Sequence, residues 1–164
     1  MGDTPFTVRK AEPADVPALA HHRVAMFRDM GALASRNEAA LEQATASYLR
    51  IALPQGEYLA WVAEDSSTPP ATIGGVGVQL RPILPRPRPD ADELELGPEA
   101  IVLSLYVRPA WRRRGVAGAL MRVALEELAA RGIRRIVLHA SEHGRRLYEQ
   151  LGFVPTNEMR LSSS

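Results

Sequence analysis

An apolar segment that runs through a short loop into a long amphipathic helix constrains the fold of this chain more than any other feature. Segment 100–107 has only two polar side chains, those of Ser104 and Tyr106, and a run this apolar is typical of a strand at the centre of a sheet. The helix predicted over 115–131 repeats apolar residues on one face, at Val116, Leu120, Ala124 and Leu128. A buried strand and a helix with one apolar face predict a layered domain that contains both helices and strands.

The segments on either side of this unit show strand or helix patterns of their own. Further strands are predicted over 6–10, 58–63, 71–80, 133–140 and 153–161, and further helices over 13–30, 37–52 and 141–151. Residues 81–98 are rich in proline and are predicted to form a long loop between two strands. The order of elements therefore predicts one mixed α/β domain over residues 1–164, without repeats or a linker.

The composition excludes several classes of protein. The 164 residues carry a formal charge of +1, so no bulk field attracts nucleic acid or an anionic membrane. Cysteine is absent, which excludes disulfides, thiolate metal sites, iron–sulfur clusters and a cysteine nucleophile. We expect no signal peptide, because residues 1–10 contain no apolar run, and no membrane span, because no apolar stretch is long enough. The default expectation is a cytoplasmic location.

The loop that follows segment 100–107 has the chemistry of an anion site. The first amides of a helix have no intrahelical acceptor, and the helix dipole places partial positive charge there. Gly115 lets the backbone approach a ligand closely, and the small Ala117 and Gly118 leave the first turn unobstructed. The arginine run 112–114 adds positive charge that suits phosphate.

Two common phosphate-binding motifs do not fit this loop. The Gly-Lys-Ser/Thr ending of a Walker A loop is missing, and so is the Gly-x-Gly-x-x-Gly pattern of dinucleotide-binding folds. No acidic pair nearby suits Mg²⁺, which argues against nucleotide hydrolysis. What remains is metal-free binding of a pyrophosphate by backbone amides.

Two spaced motifs follow one another in the second half of the chain. They are Arg112-x-x-Gly115-x-Ala117 and Ser141-x-x-Gly144-x-x-x-Tyr148-x-x-x-Gly152-Phe153. Together they resemble the Arg/Gln-x-x-Gly-x-Gly/Ala and Asn-x-x-Ala-x-x-x-Tyr-x-x-x-Gly-Phe signatures of the GNAT superfamily of N-acetyltransferases. The resemblance covers residues 100–161, with Ser141 and Gly144 in place of the family's Asn and Ala. Residues 1–99 match the family only in their order of elements.

The resemblance implies a fold and a co-substrate. The fold is a mixed, largely antiparallel twisted sheet of about six to seven strands with helices on both faces. In the family the loop holds the pyrophosphate of acetyl-coenzyme A (acetyl-CoA), without a metal, and the strand before the loop splays from its neighbour to admit the pantetheine arm. The residues implied to bind the co-substrate are Leu105, Tyr106, Val107, Arg112, Arg113, Arg114, Gly115, Val116, Ala117, Gly118 and Ser141.

The resemblance also implies a reaction in which an amine attacks the acetyl thioester directly, without an acyl-enzyme. Tyr148 stands where family members carry a general acid for the leaving thiolate; alternatively it is only a packed aromatic. The general base stays open, because segment 100–107 contains no acidic or His side chain. One alternative is a water relay that touches Ser104, and the others are Glu64, Glu99, His139 and Glu158.

In the family the first two helices form one wall of the acceptor site. Met26, Phe27 and Met30 would then favour an acceptor with a hydrophobic portion; alternatively they pack the first helix onto the sheet. The acidic residues of loop 81–98 could flank the entrance and attract an amine: Asp90, Asp92, Glu93 and Glu95. The expected partner is a small-molecule or peptide amine, with no nucleic acid or membrane, and a homodimer is common among proteins of this kind.

Two other functions stay open at this point. An acetyl-CoA-binding sensor, or an inactive acyltransferase-like module, would also lack an evident base on the central strand. Nucleic-acid binding through the run 112–114 is the second, and the near-neutral charge speaks against it. Alternatively the run 112–114 is only a solvated stretch, because this chain has a single lysine, Lys10, and uses arginine for its other basic residues. His21 and His22 are expected to face solvent from helix 13–30, with a spacing that suits no metal.

Overall fold

A five-stranded sheet is the frame on which the candidate site is built. The computed structural model describes residues 5–89 and 91–161. Its strands are β1 (Phe6–Lys10), β2 (Tyr58–Asp65), β3 (Thr72–Arg81), β4 (Arg86–Pro87), β5 (Leu94–Glu95), β6 (Glu99–Val107) and β7 (Ile136–Leu138). Its α-helices are α1 (Val16–Asp29), α2 (Glu38–Gln55), α3 (Val116–Ala130) and α4 (Arg145–Gln150).

The strands of the main sheet lie in the order β1-β2-β3-β6-β7. The neighbours from β1 to β6 pair antiparallel, whereas β6 and β7 pair parallel. β4 and β5 form a separate antiparallel pair inside the segment that was predicted to be only a loop. The prediction of a mixed, largely antiparallel sheet is confirmed.

Two apolar layers cover the two faces of this sheet. On one face α3 buries Leu120, Met121 and Leu128 against strand residues such as Ile73 and Val102. On the other face α1 and α2 contribute Val16, Leu19, Ala20, Ala46, Leu49 and Ala52. Helices therefore lie on both faces, as predicted. No helix in residues 5–89 and 91–161 combines the length and the apolar character needed to cross a bilayer.

Two elements near the C-terminal end differ from their predictions. The strand predicted over 133–140 is confined to Ile136–Leu138. The strand predicted over 153–161 is wrong, because this segment forms no strand. Pro155 has no amide to donate, and Val154 and Met159 are 75% and 94% exposed. The segment therefore lacks both the donor and the apolar contacts that would hold it in a sheet.

Glu99 anchors the start of β6. Its carboxylate, which is 1% exposed, accepts a hydrogen bond from Nε of Arg81 at 2.6 Å and also pairs with Arg135. Arg81 ends β3 and Arg135 precedes β7, so one buried carboxylate connects three neighbouring strands. Loss of one partner would leave a buried charge uncompensated, which is costly. The sheet is therefore fixed at this end, and it opens at the other end of β6.

Gly77 on β3 leaves room for the hydroxyl end of Tyr58 on β2. A Cβ at position 77 would lie 1.6 Å from Oη of Tyr58, so no side chain fits while the tyrosine keeps its place. Tyr58 is buried, which raises the pKa of its phenol, and its hydroxyl lies beside that of Ser104 on β6. The glycine thus determines where a buried polar group meets β6.

Gly77→Ala should lower the free energy of unfolding by about 1–3 kcal/mol, because the new methyl group forces Tyr58 out of its position. Urea denaturation at neutral pH measures this loss. Gly97→Ala is the matched control, since a Cβ at position 97 meets no atom within 4 Å. Equal stability of the two variants would contradict the close packing of Tyr58 on Gly77.

His22 is a buried polar residue on the sheet side of α1. The expectation that it faces solvent is wrong: it is 5% exposed, and its Nδ1 has no hydrogen-bond partner in the described part of the chain. Its ring lies 5.1 Å from the ring of Tyr106, beside a cavity of about 370 Å³ that Arg108 also lines. Burial, together with the charges of His21 and Arg108, lowers the pKa of His22 to about 4.

Acidification should destabilise the protein through His22. Since its folded pKa of about 4 lies below the ordinary histidine pKa of 6.5, the unfolded chain takes up the proton first as the pH falls. The resulting loss of unfolding free energy begins near pH 6.5, is complete near pH 4 and amounts to about 3 kcal/mol. His22→Asn should reduce the drop in unfolding free energy between pH 7 and pH 4, measured by urea titrations.

The neighbouring His21 supplies the control for this measurement. Its side chain is 62% exposed, so His21→Asn should keep nearly the whole pH dependence of the unaltered protein. If the His21 and His22 variants lose stability equally with acid, His22 is not buried in its neutral form.

Candidate active site

The C-terminal half of β6 has a neighbouring strand on one side only. β7 ends at Leu138, opposite Val102, whereas β6 continues beside β3 as far as Val107. The main-chain groups of residues 105–107 that point away from β3 therefore lie along an open edge. An extended chain that carries amides can add to such an edge through main-chain hydrogen bonds.

A bulge at Ser104 begins this open stretch. Ser104 has a φ of 57°, in the left-handed region, and β6 has one residue more than β3 between the pairs that flank it. Bulges bend a strand and redirect its side chains. The Ser104 hydroxyl accepts a hydrogen bond from Nη1 of Arg23, on α1, at 2.6 Å.

The loop beyond β6 presents free amides. Those of residues 113–118 donate to no acceptor within the part of the chain that the structure describes, and the first backbone bond into α3 runs from Ala119 N–H to Gly115 C=O at 3.0 Å. Gly115 caps the helix with a φ of 82°, and no acidic residue lies in the first turn. Such a helix start, with free donors and no carboxylate, is complementary to phosphate.

The arginines of this loop have different surroundings. Arg112 pairs with Asp29 at the end of α1, and its Nε donates to the carbonyl of Val107 at 3.0 Å. Arg114 lies 5.2 Å above the ring of Trp111. Arg113 takes a left-handed φ of 62° and is exposed. Arg112 therefore braces the loop against α1, and contact of all three arginines with phosphate stays a prediction.

α4 lies beside the first turn of α3, where a Cβ on Gly118 would be 4.0 Å from Cδ1 of Leu147. Ser141 does not begin the helix as predicted; its Oγ accepts a hydrogen bond from the amide of Gly144 at 3.2 Å and closes the preceding turn. A Cβ on Gly144 would lie 2.9 Å from the ring of Tyr148. The small residue at 144 therefore makes room for this tyrosine.

Tyr148 is half-buried, with its ring 6.0 Å from that of Phe153. Burial raises the pKa of its phenol, and its hydroxyl has no hydrogen-bond partner among the described residues. The phenol is therefore protonated at neutral pH and free to donate to a ligand. Both the general-acid and the packed-aromatic interpretations are compatible with this position.

The candidate bases do not converge on Ser104. Glu99 pairs with Arg81 and Arg135, as described above, and Glu64 binds Arg9 at 2.6 Å where β1 pairs with β2. His139 and Glu158 are exposed, and Nε2 of His139 lies 3.6 Å from Oε1 of Glu158. Nor do any three His, Asp or Glu side chains in residues 5–89 and 91–161 come together as a metal site.

The residues predicted to contact the acceptor lie on the C-terminal half of α1. Met26 and Phe27 are half-buried and Met30 is 53% exposed. The buried face of α1 is formed by other residues, among them Leu19 and Val24. The trio therefore leaves apolar surface available to a ligand.

The acidic loop is less negative than predicted. Glu93 binds Arg88 at 3.0 Å and Glu95 binds Arg86 at 2.8 Å, so these carboxylates are already balanced by arginine. Asp90 lies outside the described residues. The pairs instead hold the small β4–β5 sheet together.

Arg23 and Tyr58 were not predicted from the sequence, yet both meet Ser104. Arg23 comes from α1 and Tyr58 from β2, so their approach depends on how these elements pack on β6. The sequence offered one signal, an arginine beside the apolar face of an amphipathic helix. In a chain so rich in arginine that signal does not stand out.

The chain is similar to known acetyltransferases. Residues 24–153 match the acetyltransferase (GNAT) family. A GCN5-related N-acetyltransferase from Ralstonia eutropha JMP134 is 34% identical, with a TM-score of 0.82 over 96% of this chain and 98% of that one. A predicted acetyltransferase from Clostridium acetobutylicum, solved with acetyl-CoA, is 22% identical, with a TM-score of 0.82 over 96% of each chain. No curated protein matches this chain.

Glucosamine-6-phosphate N-acetyltransferase from Arabidopsis thaliana shares the fold, at 12% identity and a TM-score of 0.64 over 97% of each chain. The open edge of β6, the loop amides and both sequence motifs fall within the matched residues 24–153. The family match spans most of the chain, and the Ralstonia protein is similar over nearly the whole of it. This chain belongs to the GNAT family of acetyltransferases.

Proposed function

We propose that this protein transfers the acetyl group of acetyl-CoA to a primary amine, by direct attack in a ternary complex. Membership of the GNAT family supports acetyl transfer in general. The observation that carries the proposal is the combination of free amides at 113–118 with an open strand edge at 105–107. The amides suit a pyrophosphate, and the edge suits the amide groups of a pantetheine arm.

Backbone donors would do most of the binding of acetyl-CoA. The amides of Gly115, Val116, Ala117 and Gly118 would face the pyrophosphate, with Arg113 and Arg114 adding positive charge. The main chain of residues 105–107 would hold the pantetheine arm and place the thioester toward the bulge. A main-chain amide on this edge would stabilise the oxyanion that develops on the carbonyl.

Acetyl transfer forms a C–N bond and breaks a C–S bond, and protons must move with both. The acceptor ammonium loses one proton before it attacks and another as the amide forms, the departing thiolate gains one, and the net proton leaves to solvent. We assign the proton that reaches the thiolate to Tyr148, whose phenol is protonated and has no hydrogen-bond partner among the described residues. Its pKa is raised, so donation to a thiolate is uphill, and we expect water to share this role.

We assign the proton that the acceptor loses before attack to a water relay beside Ser104. In the described residues the neighbours of the Ser104 hydroxyl are Arg23 and Tyr58, neither of which is a base at neutral pH. This same observation favours the second candidate function, an acetyl-CoA-binding sensor without turnover. Release of free thiol from acetyl-CoA with a panel of amines supports the enzyme, whereas thermal stabilisation by acetyl-CoA without thiol release supports the sensor.

Gly115→Glu should weaken binding of coenzyme A by about a hundredfold or more, because its carboxylate would occupy the amide cradle and repel the pyrophosphate. Isothermal titration measures the change. Gly132→Glu is the control, since Gly132 lies just beyond the other end of α3, with a φ of +71° against +82° at Gly115 and no atom within 4 Å of a Cβ at either position. Equal affinity of the two variants would exclude the proposed cradle.

Tyr148→Phe should lower kcat by about tenfold to a hundredfold while it leaves the Kd for coenzyme A unchanged. The ring and its packing on Phe153 remain, and only the proton donor is removed. Steady-state thiol release gives kcat, and titration gives the Kd. A kcat equal to that of the unaltered protein would remove Tyr148 from the mechanism and leave it as a packing residue.

A further inference from the structure

Arg23 is a half-buried cation without a counter-ion. It forms no ion pair with any carboxylate in residues 5–89 and 91–161. Nearby arginines differ: Arg28 binds Glu38 at 2.6 Å, and Arg112 pairs with Asp29. A partly desolvated charge is costly unless it is compensated, so the missing partner calls for an explanation.

The guanidinium of Arg23 is held in one place. Its Nη1 donates to Oγ of Ser104 at 2.6 Å, and its Cζ lies 5.0 Å above the ring of Phe27. The hydroxyl of Tyr58 lies beside the same serine. The contacts with Ser104 and Phe27 hold the cation at the bulge of β6, where the proposed function places the acetyl group.

The fixed guanidinium still has hydrogen-bonding capacity. Ser104 uses one N–H group, and the ring of Phe27 uses none, so further N–H donors of the planar fork remain available. That geometry matches a carboxylate, which accepts two parallel hydrogen bonds from arginine. The second ammonium group of a polyamine acceptor would instead be repelled by this uncompensated cation.

We propose that Arg23 binds a carboxylate of the acceptor, so that the acceptor is a zwitterion that carries both the reacting amine and an acid group. This inference rests on the proposed acetyl transfer. The apolar side chains of Met26 and Phe27 border Arg23 on α1 and fit an aliphatic or aromatic portion of the same molecule. The class is that of amino acids and their analogues, rather than polyamines.

The same cation would assist the reaction. A positive charge close to an ammonium group lowers the pKa of that group and favours the free amine that attacks. The acceptor's own carboxylate raises the pKa of its amine, and pairing with the guanidinium would offset that effect. Arg23 is therefore a specificity-determining residue with a secondary effect on the proton step.

The test compares acids with their own neutral amides. Acceptors in which one to about five carbons separate amine and carboxylate, such as leucine and 6-aminohexanoate, are each paired with the corresponding amide, and spermidine represents polycations. We expect the best acid to exceed its amide in kcat/KM by about tenfold to a hundredfold. Arg23→Gln should bring that ratio close to one, without change in the KM for acetyl-CoA. Arg23→Lys should retain part of it.

Two further variants separate recognition from support of the bulge. Ser104→Ala removes one contact of Arg23 but keeps the cation and its contact with Phe27, so it should lower acid and amide alike and retain most of their ratio. Arg50 is an exposed arginine on α2, and Arg50→Gln should change neither the rate with the acid nor the rate with the amide. If Arg23→Gln lowers acid and amide equally, as Ser104→Ala does, Arg23 only supports the strand and the inference is overturned.

The failure of this inference is distinguishable from the failure of the proposed function. Acetylation of amides or spermidine in preference to every acid would overturn the carboxylate assignment and leave the transferase intact. Binding of acetyl-CoA without turnover of any acid would also overturn it. If coenzyme A does not bind and no amine releases thiol, the proposed function fails first, and the assignment of Arg23 fails with it.

Discussion

The pairing of β6 is interrupted halfway along the strand, and the open main chain of the candidate site follows from that interruption. At its start the strand has neighbours on both sides and a buried ion-paired carboxylate, and beyond Ser104 it has β3 alone. Backbone donors and acceptors need partners, and the open edge at 105–107 and the loop at 113–118 both contain main-chain groups that lack them in the described residues. A ligand with amides at one end and phosphates at the other would complement these two stretches.

The arginines near these stretches differ in whether a carboxylate compensates their charge. Arg112 is neutralised by Asp29 and braces the loop against α1, while Arg28 ties the end of the same helix to α2 through Glu38. These two ion pairs hold the C-terminal end of α1 against α2 and the loop. Arg23 differs because it has no carboxylate partner in the described residues, so it leaves a positive charge on a surface otherwise lined by apolar groups and hydroxyls.

The central unit was predictable because its signals are local. The apolar run, the helical spacing of Val116 and Leu120, and Gly115 at the helix start each act over a few residues, and the two motifs identified the family. The strand predicted over 153–161 was wrong because a strand also needs a neighbouring edge, which periodicity does not report. Arg23 and Ser104 are 81 positions apart, and the burial of His22 depends on how α1 crosses β6. Such contacts depend on how distant elements pack together, so a local sequence pattern does not predict them.

The contact between Gly77 and Tyr58 limits how the interior of this sheet can change. Because the phenol occupies the volume that position 77 gives up, a side chain at position 77 displaces the tyrosine. A lineage that acquired a side chain at position 77 would have to replace Tyr58 with a smaller residue. The hydroxyl next to Ser104 would then be lost. A steric change inside the sheet would thus also change the polarity at the bulge of β6.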